Sequence, residues 1–117
     1  KVVMIGGGYS SSVTYAAAGV CQQNQMPFLV NTGSADKITS SGWDYVYRLN
    51  PPVTKYASAV ESLLTEVVKP KTVAILHENS LFGSKGAKSF AKTCKKLGIK
   101  VVLKEGYEHG GIDYKPV

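Results

Sequence analysis

The chain has 117 residues, 44% of them hydrophobic, enough to bury one domain-sized core. Its formal net charge of +6 admits an acidic partner, but Arg48 is the sole arginine, which argues against a nucleic-acid reader. No apolar run approaches the roughly 18 residues that a membrane-crossing helix needs. The chain opens inside an apparent strand without an initiator Met and closes at Asp113-Tyr114-Lys115-Pro116-Val117, which looks like a helix start. We therefore expect a piece of something longer.

Val2 to Ile5 is an apolar run suited to a strand covered on both faces, as in parallel sheets. Gly6, Gly7 and Gly8 then allow a sharp turn and close approach to a ligand. Ser10, Ser11 or Ser12 can cap the helix that follows, whose free N–H groups suit a carboxylate or a phosphate. That helix is expected over Val13 to Gln25, with Val13, Ala16, Ala17, Val20 and Cys21 forming its buried stripe. Phe28-Leu29-Val30 is the next strand, and it delivers a polar loop, Asn31 to Asp36.

Two successive strands thus carry Gly/Ser/Thr loops to one edge of a parallel sheet, where ligands of open α/β sheets bind. Ser10 and Ser34 are expected to be neighbours there. Trp43 and Tyr45 are expected to pack. Tyr45 to Leu49 is a further strand that Pro51-Pro52 terminates. A helix opening at Pro52 or Thr54 places Tyr56, Val60, Leu63, Leu64, Val67 and Val68 on one stripe and ends before Pro70.

Thr72 to His77 is another buried strand, followed by a third polar loop, Glu78 to Ser84. An amphipathic helix runs from Ser84 to Leu97, with Ala87, Phe90, Ala91, Cys94 and Leu97 inward and its lysines forming a solvated face. Gly98 stops it, and Lys100 to Glu105 is the last strand. The fold class is α/β, with parallel sheets and flanking helices. Cys94 is expected to be a buried free thiol, although a bridge to Cys21 stays open. His77 and His109 stand apart from other metal-ligand types, so neither a metal nor another cofactor is expected.

Several chemistries fail on their spacing. Gly6 to Ser11 puts Ser11 at the sixth position of G-x-G-x-x-G, and Asn31 and Thr32 stand where a dinucleotide site wants an acid. No Gly-Lys-Ser/Thr follows the glycines, and Gly8 to Ser12 is not the G-x-S-x-G elbow. Noncovalent binding remains, with hydroxyls and backbone N–H groups suited to a small carboxylate. Phe82 could cover an apolar part of the ligand, or serve as a core aromatic instead. Glu78 and Asp36 could offset a ligand amine.

Ile5 to Thr14, Pro27-Phe28-Leu29, Thr32 to Ala35, Tyr47-Arg48, Lys69 to Glu78, Phe82 to Gly86 and Asp113-Tyr114 stand in an order that resembles the type I periplasmic solute-binding proteins. The similarity is to the branch that includes the leucine/isoleucine/valine-binding proteins of ABC importers. The resemblance implies a two-lobed protein that closes about a hinge over its ligand. Residues 1–49 would belong to the first lobe, 50–52 to the hinge crossing and 53–117 to the start of the second. Tyr9, Ser10, Ser11, Gly33, Ser34, Ala35 and Phe82 are the implied ligand residues. The chain is one residue shorter than its relatives between Gly33 and Thr39, which leaves open whether Ser34 or Ala35 takes each role. Phe82 stands where many relatives carry Tyr, implying a more apolar or aromatic ligand. The implied function is the extracytoplasmic solute-binding component of an ABC importer, not an enzyme, with the importer's membrane subunits as partners. A receptor or regulator of the same fold and a nucleotide- or substrate-binding enzyme are the alternatives. Exposed sheet edges would also permit self-association.

Overall fold

The computed structural model describes residues 1–108, 110, 111 and 114; the expected helix start at Asp113 and the isolated His109 lie outside them. The chain divides into two compact units, Lys1–Val53 and Thr54–Val117.

In the first unit, strands β1 (Ile5–Gly7), β2 (Phe28–Val30) and β3 (Val46–Arg48) form a parallel sheet in the order β1-β2-β3. The register pairs Ile5 with Phe28 and Phe28 with Val46. Helix α1 (Ser11–Gln23) makes the crossover from β1 to β2, and the short α2 (Lys37–Ser40) lies between β2 and β3. Phe28, Val30, Ile38, Val46 and Ala18 form the core. Tyr15 stacks on Trp43 with ring centroids 5.0 Å apart, and Lys37 Nζ lies 4.6 Å from the Tyr15 ring centre. A hydrogen bond with Ser41, aided by Lys37, draws the Tyr15 hydroxyl below its ordinary pKa.

Two expectations change here. The run Val2 to Ile5 is not covered on both faces: its residues are 42–76% exposed, and strand pairing begins only at Ile5. The reason is that β1 is an edge strand, paired with β2 alone among the described residues. Helix α1 is also rotated from its hydrophobic stripe. Ser11, Thr14, Ala18 and Cys21 are buried, while Val13 and Val20 are 69% and 59% exposed. The inward face is hydroxyl-bearing at its start because it must meet two polar loops, not a greasy sheet face.

In the second unit, β4 (Thr72–Glu78) and β5 (Lys100–Tyr107) pair in parallel, with a bulge between Val73 and Ala74. Helix α4 (Leu81–Lys96) joins them. Ala87 and Cys94 are buried on α4, and Phe90, Ala91 and Leu97 are half-buried, as the sequence spacing predicts. Its lysines point outward. On β4 only Ile75 is buried and Leu76 is 59% exposed, so this strand is not buried on both faces as expected. One helix covers one face of a two-stranded sheet, and period-2 alternation exposes the rest.

The expected helix before Pro70 is broken. A 3₁₀ turn (Val53–Lys55) leads into α3 (Tyr56–Ala59), and Leu63–Val68 winds as a π-helix that ends at Lys69 in left-handed geometry. Val67 is 72% exposed, and no residue of Leu63–Val68 is buried. Among the described residues no core covers this segment.

At the start of α4, Ser80 Oγ accepts from Gly83 N at 3.0 Å and donates to Glu78 Oε1. A Cβ at Gly83 would lie 2.4 Å from Glu78 O and 2.7 Å from Glu78 Cγ. Gly83→Ala should therefore destabilise by about 1–3 kcal/mol, seen as a lower urea midpoint at unchanged slope. An unchanged midpoint would show that the α4 start yields freely.

Cys21 and Cys94 are both buried free thiols, one in each compact unit. Burial pushes the Cys94 thiol above its ordinary value of 9.0. The neutral thiol is thus favoured in the folded state. Its stabilising contribution is complete below the ordinary value of 9.0 and is lost as pH rises from there through the raised value of the folded state. Cys94→Ala should flatten that alkaline loss in a denaturation series run from pH 7 to about pH 10; an equally steep loss would refute the assignment.

Candidate functional site

The first unit brings its two polar loops together through α1. Asn31 N donates to Gly7 O at 3.2 Å and Gly33 N to Gly8 O at 2.8 Å, so the β1–β2 ladder runs on into the loops. Ser11 Oγ then accepts from both Ser34 N and Ala35 N, each at 3.1 Å. One hydroxyl at the start of α1 therefore holds two consecutive amides of the second loop.

Thr14 completes the junction. Its Oγ1 donates to Ser10 O at 2.6 Å, and its side chain lies against both glycine-bearing loops. A Cβ at Gly8, where φ is +95°, would come within 2.6 Å of Thr14 Oγ1, and one at Gly33 within 2.9 Å. These two glycines make room for Thr14 itself. In the sequence Thr14 is only the last residue of the glycine-turn motif; a Gly in that turn and a second Gly in the neighbouring loop are the signal that a branched residue sits between them.

The expected ligand residues fall into different environments. Tyr9 is 86% exposed and Ser10 is exposed beside it. Ser10 occupies the N-cap position of α1 in extended geometry, yet its side chain makes no capping hydrogen bond. The first-turn N–H groups of α1 thus keep the unsatisfied character of a helix start. Ser11, Gly33, Ser34 and Ala35 are buried. Ser34 Oγ donates to Thr32 O at 2.8 Å and accepts from Asn50 Nδ2 at 2.7 Å. Ser10 and Ser34 do stand on loops that meet, but they differ in kind: one is exposed, the other is built into the loop.

The exit from β3 holds the same loop from its other side. Arg48 Nη1 donates to Ala35 O at 2.8 Å, and Val53 N donates to Ser34 O at 2.6 Å. Arg48 and Asn50 were not among the residues that sequence picked out for the site, since their contacts lie 13 to 18 positions away.

The second unit has its own strand-end corner. Phe82, on the first turn of α4, is 38% exposed and meets Tyr56 edge-on at 6.1 Å. Asn79 N donates to Tyr107 O at 2.8 Å, and Asn79 Nδ2 to Glu108 Oε1 at 3.1 Å. His77 Nδ1 lies 2.9 Å from Glu78 O, which accepts from it. That contact ties the ring to its own strand and gives it no serine to activate. No cluster of three His, Cys, Asp or Glu side chains suited to a metal exists among the described residues.

Comparison with known proteins bears on this arrangement as a whole. The family model described as "Periplasmic binding protein" matches residues 1–117. The chain is 29% identical over 121 residues to the Leu/Ile/Val-binding protein homolog 7 of Brucella melitensis, covering 97% of this chain and 30% of that protein. It is 29% identical over 120 residues to homolog 8 of Brucella abortus, covering 96% and 30%. The chain therefore spans about 30% of the length of these curated relatives. Among solved structures, a leucine-binding protein from Thermotoga maritima superimposes with a TM-score of 0.88 at 17% identity, over 97% of this chain and 32% of that one. An ABC transporter substrate-binding protein from Desulfitobacterium hafniense, solved in complex with Leu, gives 0.77 at 20% identity, over 92% and 32%. The parallel α/β architecture is thus that of these proteins, and with a family model matched from end to end, the chain belongs to the periplasmic binding protein family.

Proposed function

We propose that this chain is part of the extracytoplasmic solute-binding component of an ABC importer, and that the whole protein binds an amino acid or a related small carboxylate by hinge closure. The observation that carries this reading is the start of α1. An exposed serine that does not cap its own helix stands there beside first-turn N–H groups, on a rim stapled to a second loop. Such a helix end favours an anionic group, and a carboxylate can take both the hydroxyl and the amides. The substrate complex with Leu in the Desulfitobacterium structure agrees with an amino-acid ligand.

In this reading Ser10 donates to the carboxylate, while Ser11, Gly33, Ser34 and Ala35 give the rim its shape. Tyr9 flanks the entrance, and Phe82 lies against the ligand's side chain. Phe82 has no hydroxyl to satisfy, so an apolar or aromatic side chain suits it better than a polar one. The membrane subunits of the importer would receive the solute, and the protein would act in the periplasm or its extracytoplasmic equivalent. Noncovalent capture needs no nucleophile, which accords with a His77 held by its own strand.

Titration calorimetry of the full-length protein against amino acids, aromatic acids and nucleotides tests the proposal. An amino acid should bind, and Ser10→Ala should weaken it by about tenfold to a hundredfold, the loss expected for one hydrogen bond to a charged group. Binding of nucleotides alone would refute it.

A further inference from the structure

We infer that Asn50 is a positioning residue of the ligand rim, acting on the Asn31–Asp36 loop through Ser34; this rests on the function proposed above. Asn50 Nδ2 is surrounded by three oxygens, at 2.7 Å (Ser34 Oγ), 2.9 Å (Thr32 O) and 3.2 Å (Pro51 O). That environment identifies it as the donor end of the amide. By donating to Ser34 Oγ, it leaves the Ser34 proton directed at Thr32 O, 2.8 Å away. The amide therefore fixes both the orientation of a loop hydroxyl and the turn around it.

Asn50 Oδ1 is buried and has no hydrogen-bond partner. A buried acceptor without a donor costs stability. The donor end, which faces the loop, is the end whose contacts define the role of Asn50.

Its neighbours act on the same loop. Arg48 Nη1 holds Ala35 O, Val53 N holds Ser34 O at 2.6 Å, and the Val53 side chain is 2% exposed. Residues 48 to 53 thus form the outer wall of the rim up to the last residue of the first unit. A rim held in its bound geometry before the ligand arrives loses less freedom on binding, which appears mainly as slower dissociation.

The test uses the full-length protein with L-leucine as the probe. Asn50→Ala should weaken binding about five- to tenfold, mostly through faster dissociation, while the ligand-free melting temperature falls by less than about 2 °C. Asn50→Asp keeps the size but removes the donor, should show the same loss, and carries the test should the alanine variant not fold. Ser34→Ala combined with Asn50→Ala should cost no more than the larger single loss, because both act through one hydroxyl. Affinity within twofold of the parent, or losses that add, would overturn the inference while leaving the proposed function standing. A parent protein that binds no amino acid would instead remove the proposed function, and this inference with it.

Discussion

Ser11 Oγ accepts hydrogen bonds from the amides of Ser34 and Ala35, and the arrangement of the first unit's polar edge depends on it. Two strands can bring loops to one edge by topology alone, but topology does not lock loops together. A hydroxyl buried between them, accepting two donors, does. Each such bond contributes about 1 kcal/mol net, and leaving both amides buried and unpaired would cost more. Thr14 adds shape to this chemistry: its branched side chain occupies the space that Gly8 and Gly33 leave open.

That junction sorts the polar groups of the edge into two classes. Ser11, Ser34 and Ala35 are committed to the protein, and Arg48, Asn50 and Val53 reinforce the commitment from the other side. Ser10 and Tyr9 remain exposed at the start of α1. A binding rim of this design separates scaffold from contact. The scaffold hydroxyls hold geometry, and the few exposed groups can meet a guest without first breaking bonds within the protein.

Much of the architecture was legible in the chain. The alternation of short apolar runs with helical segments pointed to parallel α/β units, and Ala87, Phe90, Ala91, Cys94 and Leu97 were legible as the inward side of α4 because only one face of that helix is apolar. The meeting of the two polar loops was legible from the order of strands and glycines. Faces were harder. Val13, Ala16, Ala17 and Val20 form a convincing stripe, yet Ser11 and Thr14 turn inward because loop amides and glycine gaps await them. Periodicity weighs hydrophobicity and is blind to a hydroxyl with two donors to satisfy. The segment after Pro52 failed for a different reason: Leu63, Val67 and Val68 suggest one continuous helix with a buried face, but the winding passes from 3₁₀ through α to π and no residue of Leu63–Val68 is buried. Arg48 and Asn50 were beyond reach, since nothing local in a strand exit reveals the carbonyls it will meet.

Amide hydrogen exchange, followed residue by residue, addresses the junction most directly. The Ser34 and Ala35 amides should be protected in the parent protein. In Ser11→Ala both should exchange about tenfold faster or more, while the Gly33 amide, bonded to Gly8 O, keeps its protection. Unchanged exchange at Ser34 and Ala35 would contradict the account, because it would mean that the two loops are held together by something other than the Ser11 hydroxyl.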